Sequence, residues 1–290
     1  MSYTVRESSL SAVTPAGRKP TSNRWHKLVR KWPPSTGVLL VGHGTRGPRG
    51  VEAFFTLAAE VSRRLAGLTL EPSFLELSEP EIAVGLNRLV ARGVNRVVVA
   101  PLMLFAAGHV HHDIPAAVDQ AARRHRDLEV HFARHLGYDR RVAALSRRRA
   151  SESLGGGPTA SEATALVLIG RGSRDARATA EMHRFAARRG MDGAAEVHVG
   201  FLAMARPRLP ETLAMVAQRP VRRVVVQPHL LFPGRLSEEV EAQVRAAAEA
   251  ATDRRWYCSG VLGPDSLVAE AVCTRVRRAV AAMARIEPSH

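Results

Sequence analysis

Residues 38–46 read VLLVGHGTR, and residues 166–174 read LVLIGRGSR. Residues 96–114 read RVVVAPLMLFAAGHVHHDI, and residues 223–240 read RVVVQPHLLFPGRLSEEV. Each stretch carries a near-continuous run of Val, Leu, Ile and Ala. A strand reads that way when both its faces are covered, as happens inside a parallel sheet. The same message is therefore written twice, at a period of about 127 residues. The second copy has exchanged histidines for arginines: His43 faces Arg171 and, with one gap, His109 faces Arg235.

Further strands and helices fall into place around these runs. In the first copy, strand signals at Gly37–Val41, Leu70–Leu77, Val94–Pro101 and Leu128–Ala133 alternate with helical patterns at Val51–Leu65, Glu81–Arg92, Ile114–Arg124 and Asp139–Arg149. The second copy repeats this with strands at Ala165–Ile169, Glu196–Leu202, Val221–Pro228 and Trp256–Ser259, and helices at Ala176–Arg189, Leu209–Gln218, Ser237–Ala251 and Ser266–Arg285. The expectation is an α/β protein of two similar parallel-sheet lobes, produced by internal duplication and facing a central cleft. Residues 1–36 are expected to form a disordered basic leader, 37–150 the N-terminal lobe, 151–163 a glycine-rich linker and 164–286 the C-terminal lobe.

Composition narrows the function classes. The 290 residues are 46% hydrophobic, enough for two cores. No apolar run approaches the roughly 20 residues of a membrane span, and no secretory h-region is visible, so a cytoplasmic protein is expected. Cys258 and Cys273 stand apart with no CxxC spacing, which reads as free thiols in a reducing compartment. The formal charge of +15 draws anions, nucleic acid or a small polycarboxylate among them. No helix-turn-helix, zinc-finger or aromatic RNA-binding signature accompanies it, so no specific nucleic acid partner is expected.

Ligands in doubly covered sheets bind beyond the carboxyl ends of the strands. His43, Glu76 and His109 follow three different strands of the first lobe and are free to converge there. Two imidazoles and a carboxylate suit a borderline divalent cation such as Fe²⁺, Co²⁺, Ni²⁺ or Zn²⁺. Each residue also has a plain structural reading: His43 bonded to main chain, Glu76 in a salt bridge, and His112 or Asp113 capping the next helix. His111 reads as solvent-exposed. The second lobe has Arg171, Ala203 and Arg235 at the matching positions and is not expected to hold a second metal.

GHGTR after the first strand, FLEL before a proline-led helix, and VVVAPLMLFAAGHVHHDIP together resemble the class II tetrapyrrole chelatases, the cobalt and iron sirohydrochlorin chelatases. His43 to Glu76 and Glu76 to His109 are each 33 residues apart. The resemblance covers both lobes, the first more closely. It implies that His43 and His109 hold or deliver the metal and that Glu76 assists. It also implies ATP-independent insertion of Fe²⁺ or Co²⁺ into sirohydrochlorin, in siroheme or cobalamin biosynthesis. The metal is then a substrate, with no resident cofactor. Burial of Glu76 would raise its pKa and suit it to accept a pyrrole proton. Arg171 and Arg235, with Arg46 and Arg174 as weaker candidates, would grip the carboxylates on the macrocycle rim. A monomer is expected, since two lobes in one chain can replace a dimer of single lobes. The alternative is a non-catalytic metal or tetrapyrrole carrier on the same scaffold.

Overall fold

The computed structural model describes residues 32–156, 163–190 and 196–286. In the first lobe, β1 (Thr36–Gly42), α1 (Pro48–Arg64), β2 (Thr69–Phe74), α2 (Ile82–Ala91), β3 (Arg96–Pro101), α3 (Ile114–Ala122), β4 (Glu129–Phe132) and α4 (Arg140–Ser153) follow in order. The second lobe repeats them as β5 (Thr164–Gly170), α5 (Ala176–Gly190), β6 (Glu196–Phe201), α6 (Leu209–Ala217), β7 (Arg223–Pro228), α7 (Arg235–Ala250), β8 (Arg255–Cys258) and α8 (Ser266–Ile286). Both sheets are parallel and four-stranded, in the orders β2-β1-β3-β4 and β6-β5-β7-β8.

The uninterrupted apolar runs become fully buried strands because helices cover both faces. Along β1, Leu39 and Val41 meet α2 and α3, whereas Val38 and Leu40 join the inner core. Helix α1 buries Gly50, Ala53, Phe54, Leu57, Ala58 and Val61, the i, i+3, i+4, i+7 stripe of a helix packed on one side. The inner core is continuous between the lobes, running from α1 and the first sheet to Met182, Phe185 and α8.

The last helix of each repeat packs across the molecule: α4 lies on β7, and α8 lies on β3 and β4. Reciprocal ion pairs fasten the exchange. Asp139 caps α4 by accepting from the Arg141 backbone N–H at 2.9 Å, and Arg275 of α8 lies 3.6 Å from it. Asp265 caps α8 in the same way at 2.9 Å and pairs with Arg148 of α4.

The expected leader, residues 1–31, and the linker residues 157–162 lie outside the described residues. The last leader residues differ from expectation: Trp32 donates its indole N–H to the Ala66 carbonyl at 3.0 Å and packs against the inner core, so apolar burial orders this end. The expected linker also starts late, since α4 runs on to Ser153. Cys258 and Cys273 are free thiols. Among the described residues no helix is long and apolar enough to cross a membrane.

Candidate metal-binding site between the lobes

Strand order places the site. The connection from β1 leads to β2 on one side and the next leads back across β1 to β3 on the other, so a crevice opens at the carboxyl ends of β1 and β3. His43 is the first residue after β1, and His109 follows the loop after β3. The turn carrying His43 is pressed against the segment carrying Glu76. Gly44 adopts φ +97°, and a Cβ there would stand 1.7 Å from the Glu76 carbonyl oxygen. No other residue fits that approach. The Glu76 N–H then donates to the His43 carbonyl at 3.1 Å, and Ser78 Oγ bridges the Thr45 backbone at 3.0 and 2.7 Å.

The three expected residues meet. Ligand atoms of His43, Glu76 and His109 all lie within 4.8 Å of one another. The two imidazole rings stand edge to face with centroids 4.7 Å apart, and His43 Nε2 is 3.3 Å from Glu76 Oε1. Ligands each about 2.1 Å from a shared ion stand about 3–4 Å apart, so the triad is set close to the spacing an ion requires. Among the described residues no second cluster of this kind occurs.

Both imidazoles are oriented through Nδ1. His43 Nδ1 lies 3.2 Å from the Gly44 carbonyl, and His109 Nδ1 lies 2.7 Å from Asp113 Oδ2. With Nδ1–H donating in each, both Nε2 lone pairs are left for a cation. Burial holds the His43 pKa below the usual histidine value and the Arg171 guanidinium adds to this, while the Gly44 carbonyl and Glu76 pull the other way. His43 is therefore predominantly neutral at pH 7, the form in which an imidazole can accept a cation.

Asp113 is a correction to the capping role read from sequence. Residues His109–Asp113 form a π-helical turn that runs directly into α3, so Asp113 is helical and makes no capping bond. Its carboxylate instead reaches back one turn to His109. The i, i+4 spacing of the two was the available signal, hidden because the helix was expected to begin at Ile114. His111 and His112 are exposed. Glu76 is a second correction: β2 ends at Phe74, and the Glu76 side chain, in the following loop, is 48% exposed. The burial invoked to make it a better base is absent.

Of the four arginines, Arg171 reaches the triad. Its Nη1 donates to His43 Nε2 at 2.9 Å across the cleft from the second lobe. Arg235 is exposed at the start of α7, and Arg46 and Arg174 are exposed on the turns after β1 and β5. Among the described residues the side chains of these three make no hydrogen bond or ion pair.

The CbiX family model matches twice, over residues 37–153 and 165–279. The chain belongs to the CbiX family. It is 29% identical over 219 residues to a sirohydrochlorin ferrochelatase of Priestia megaterium, spanning 75% of this chain and 81% of the relative. It is 30% identical over 209 residues to a sirohydrochlorin cobaltochelatase of the same organism, spanning 72% of this chain and 68% of the relative. The solved structure of SirB from Bacillus subtilis with Fe³⁺ superposes with a TM-score of 0.78 at 27% identity, covering 87% of this chain and 98% of that one. The two family matches begin one residue after β1 opens and one residue after β5 opens, so the family unit is the repeat itself.

Proposed function

We propose that this chain is a sirohydrochlorin chelatase, a lyase-type enzyme that inserts Fe²⁺ or Co²⁺ into sirohydrochlorin in the cleft between its lobes. The observation that carries the reading is the meeting of His43, Glu76 and His109 at the crevice mouth, with Arg171 of the opposite lobe reaching His43. Relatives named as ferrochelatase and as cobaltochelatase leave both metals open. An imidazole and carboxylate set accepts either ion.

The residues divide the work as follows. The Nε2 atoms of His43 and His109 and a carboxylate oxygen of Glu76 take the ion from solution. Three protein ligands leave coordination positions open for pyrrole nitrogens. Arg171 meets a carboxylate of the macrocycle rim, and Arg235, Arg46 and Arg174 offer further cationic contacts around the cleft. Insertion expels two pyrrole protons. As the ion passes to the macrocycle the imidazoles become vacant bases, and half-exposed Glu76 relays protons to water. The ion is substrate, no resident cofactor takes part, and the chain works as a cytoplasmic monomer without nucleic acid or ATP.

The test is insertion by the purified chain with sirohydrochlorin and Fe²⁺, Co²⁺ or Ni²⁺ in competition, followed by the absorbance of the macrocycle. Activity should survive without ATP and fall at least 100-fold in His43→Ala and His109→Ala. Full activity in both variants refutes the assignment.

A further inference from the structure

The second lobe, with Arg171, Ala203 and Arg235 where the first has His43, Glu76 and His109, meets the first at the loop carrying His109. Residues 104–108 leave the first lobe and lodge against the second. The Phe105 ring stacks on His229 with centroids 5.2 Å apart and planes 20° apart, and lies 6.4 Å from Phe185. The next residue, Ala106, is buried, and its backbone N–H donates to Oε2 of Glu181 on α5 at 2.9 Å. The same carboxylate is held 3.2–3.3 Å from His135 Nε2 of the first lobe. The loop couples directly to the metal residue: the Ala107 carbonyl accepts from Val110 and His111 at 2.9 and 3.2 Å, closing the turn that contains His109.

The duplication supplies an internal control. Leu136 and Gly137 donate to Met103 and Leu104, whereas Leu262 and Gly263 donate to Leu230 and Leu231. These bonds align Phe105 with Phe232 and Ala106 with Pro233. The turn equivalence of His43 with Arg171 likewise aligns Glu181 with Ala53. Pro233 has no N–H to offer, and small residues of α1 face its loop: a Cβ on Gly50 would lie 3.0 Å from the Pro233 carbonyl oxygen. A carboxylate is thus present only where a buried N–H requires an acceptor, and that N–H belongs to the loop bearing the metal histidine.

We infer that Glu181 is a positioning residue, acting from the second lobe to set His109 in the metal triad through the Ala106 N–H. The inference rests on the proposed metal role of His109, and its test reads metal binding rather than insertion. Co²⁺ is titrated into the full chain without macrocycle, and affinity and the visible ligand-field spectrum are recorded. Glu181→Ala should weaken Co²⁺ binding about tenfold and alter the spectrum, as loss of groups that orient metal ligands does. Glu181→Gln keeps an oxygen for the Ala106 N–H and should stay within threefold of the parent. Ala106→Pro removes the same bond with Glu181 intact and copies the backbone that the second lobe already adopts, so it should reproduce the Glu181→Ala defect. In a His109→Ala background, Glu181→Ala should change affinity less than twofold.

Unchanged affinity and spectrum in either Glu181→Ala or Ala106→Pro overturns the inference. So does a full-sized loss that persists without His109, which would mark a general packing role. A chain that binds Co²⁺ with this pattern yet inserts none would refute the chelatase reading and leave the positioning role standing.

Discussion

Arg171→Ala separates two roles that the structure loads onto one side chain. The guanidinium donates to His43 Nε2 at 2.9 Å, the lone pair an incoming ion needs. Metal binding must therefore break this bond first. A hydrogen bond with one charged partner contributes about 1.5–3 kcal/mol net. Arg171 is exposed, and screening reduces this to about 1 kcal/mol. Removing the competitor should strengthen Co²⁺ binding in the absence of macrocycle about fivefold. The pH dependence moves in a defined direction as well. Arg171 is the second cause of the lowered His43 pKa, so its loss lets that pKa rise part of the way towards 6.5, burial remaining. Protons then compete with Co²⁺ at higher pH, and the acid limb of binding shifts upward. Steady-state insertion should show the opposite effect on the second substrate. KM for sirohydrochlorin should rise about tenfold as a carboxylate contact is lost, with kcat at saturation held within threefold. Isothermal titration at pH 7.5 and 6.0, together with initial rates, measures all three. Weaker Co²⁺ binding in Arg171→Ala, or an unchanged KM, refutes the reasoning.

Three further outcomes follow from the same geometry. Asp113→Asn should weaken Co²⁺ binding about 10-fold to 100-fold because His109 loses the partner that aims Nε2, with the Tm within about 2 °C of the parent in a thermal melt. Gly44→Ala should lower stability by about 3 kcal/mol and abolish Co²⁺ binding, since its Cβ collides with the Glu76 carbonyl oxygen at 1.7 Å in a φ +97° backbone; a denaturant melt within 0.5 kcal/mol of the parent contradicts this. His229 is fully buried, and burial lowers its pKa to about 3. Below pH 6.5 the unfolded chain takes up a proton that the folded chain refuses, so stability should fall with acidification by up to about 1.4 kcal/mol per pH unit. His229→Leu, matching Leu102 in the first lobe, should flatten the Tm profile between pH 6.5 and 4.5. An unaltered slope counts against a neutral buried His229.

The fold was legible because its signals are local and doubled. Apolar runs such as residues 97–100 and 224–226 allow only doubly covered strands, and the repeat vouches for each element a second time. The exchange of α4 and α8 between lobes was not legible. Apolar stripes show that a helix has a buried face, but not which sheet covers it. In the site, His43, Glu76 and His109 could be picked out as chemistry-bearing residues at strand ends. The state of Glu76 could not, because its neighbours Phe74, Leu75 and Leu77 read as continuing strand while the chain leaves the sheet after Phe74. Asp113 was misread because nothing in the sequence marked the five helical residues 109–113 that precede Ile114. Glu181 carries no sequence signal of its own: it is one exposed-looking acid on α5, and its meaning comes from an N–H 75 residues away.

The account turns on where the ion binds. Crystals of the chain soaked in Co²⁺ and measured at the cobalt absorption edge test this most directly. An anomalous peak about 2.1 Å from His43 Nε2 and His109 Nε2, beside Glu76 and with Arg171 swung off His43, is the predicted result. A fully occupied peak elsewhere, with His43 still bonded to Arg171, would contradict it.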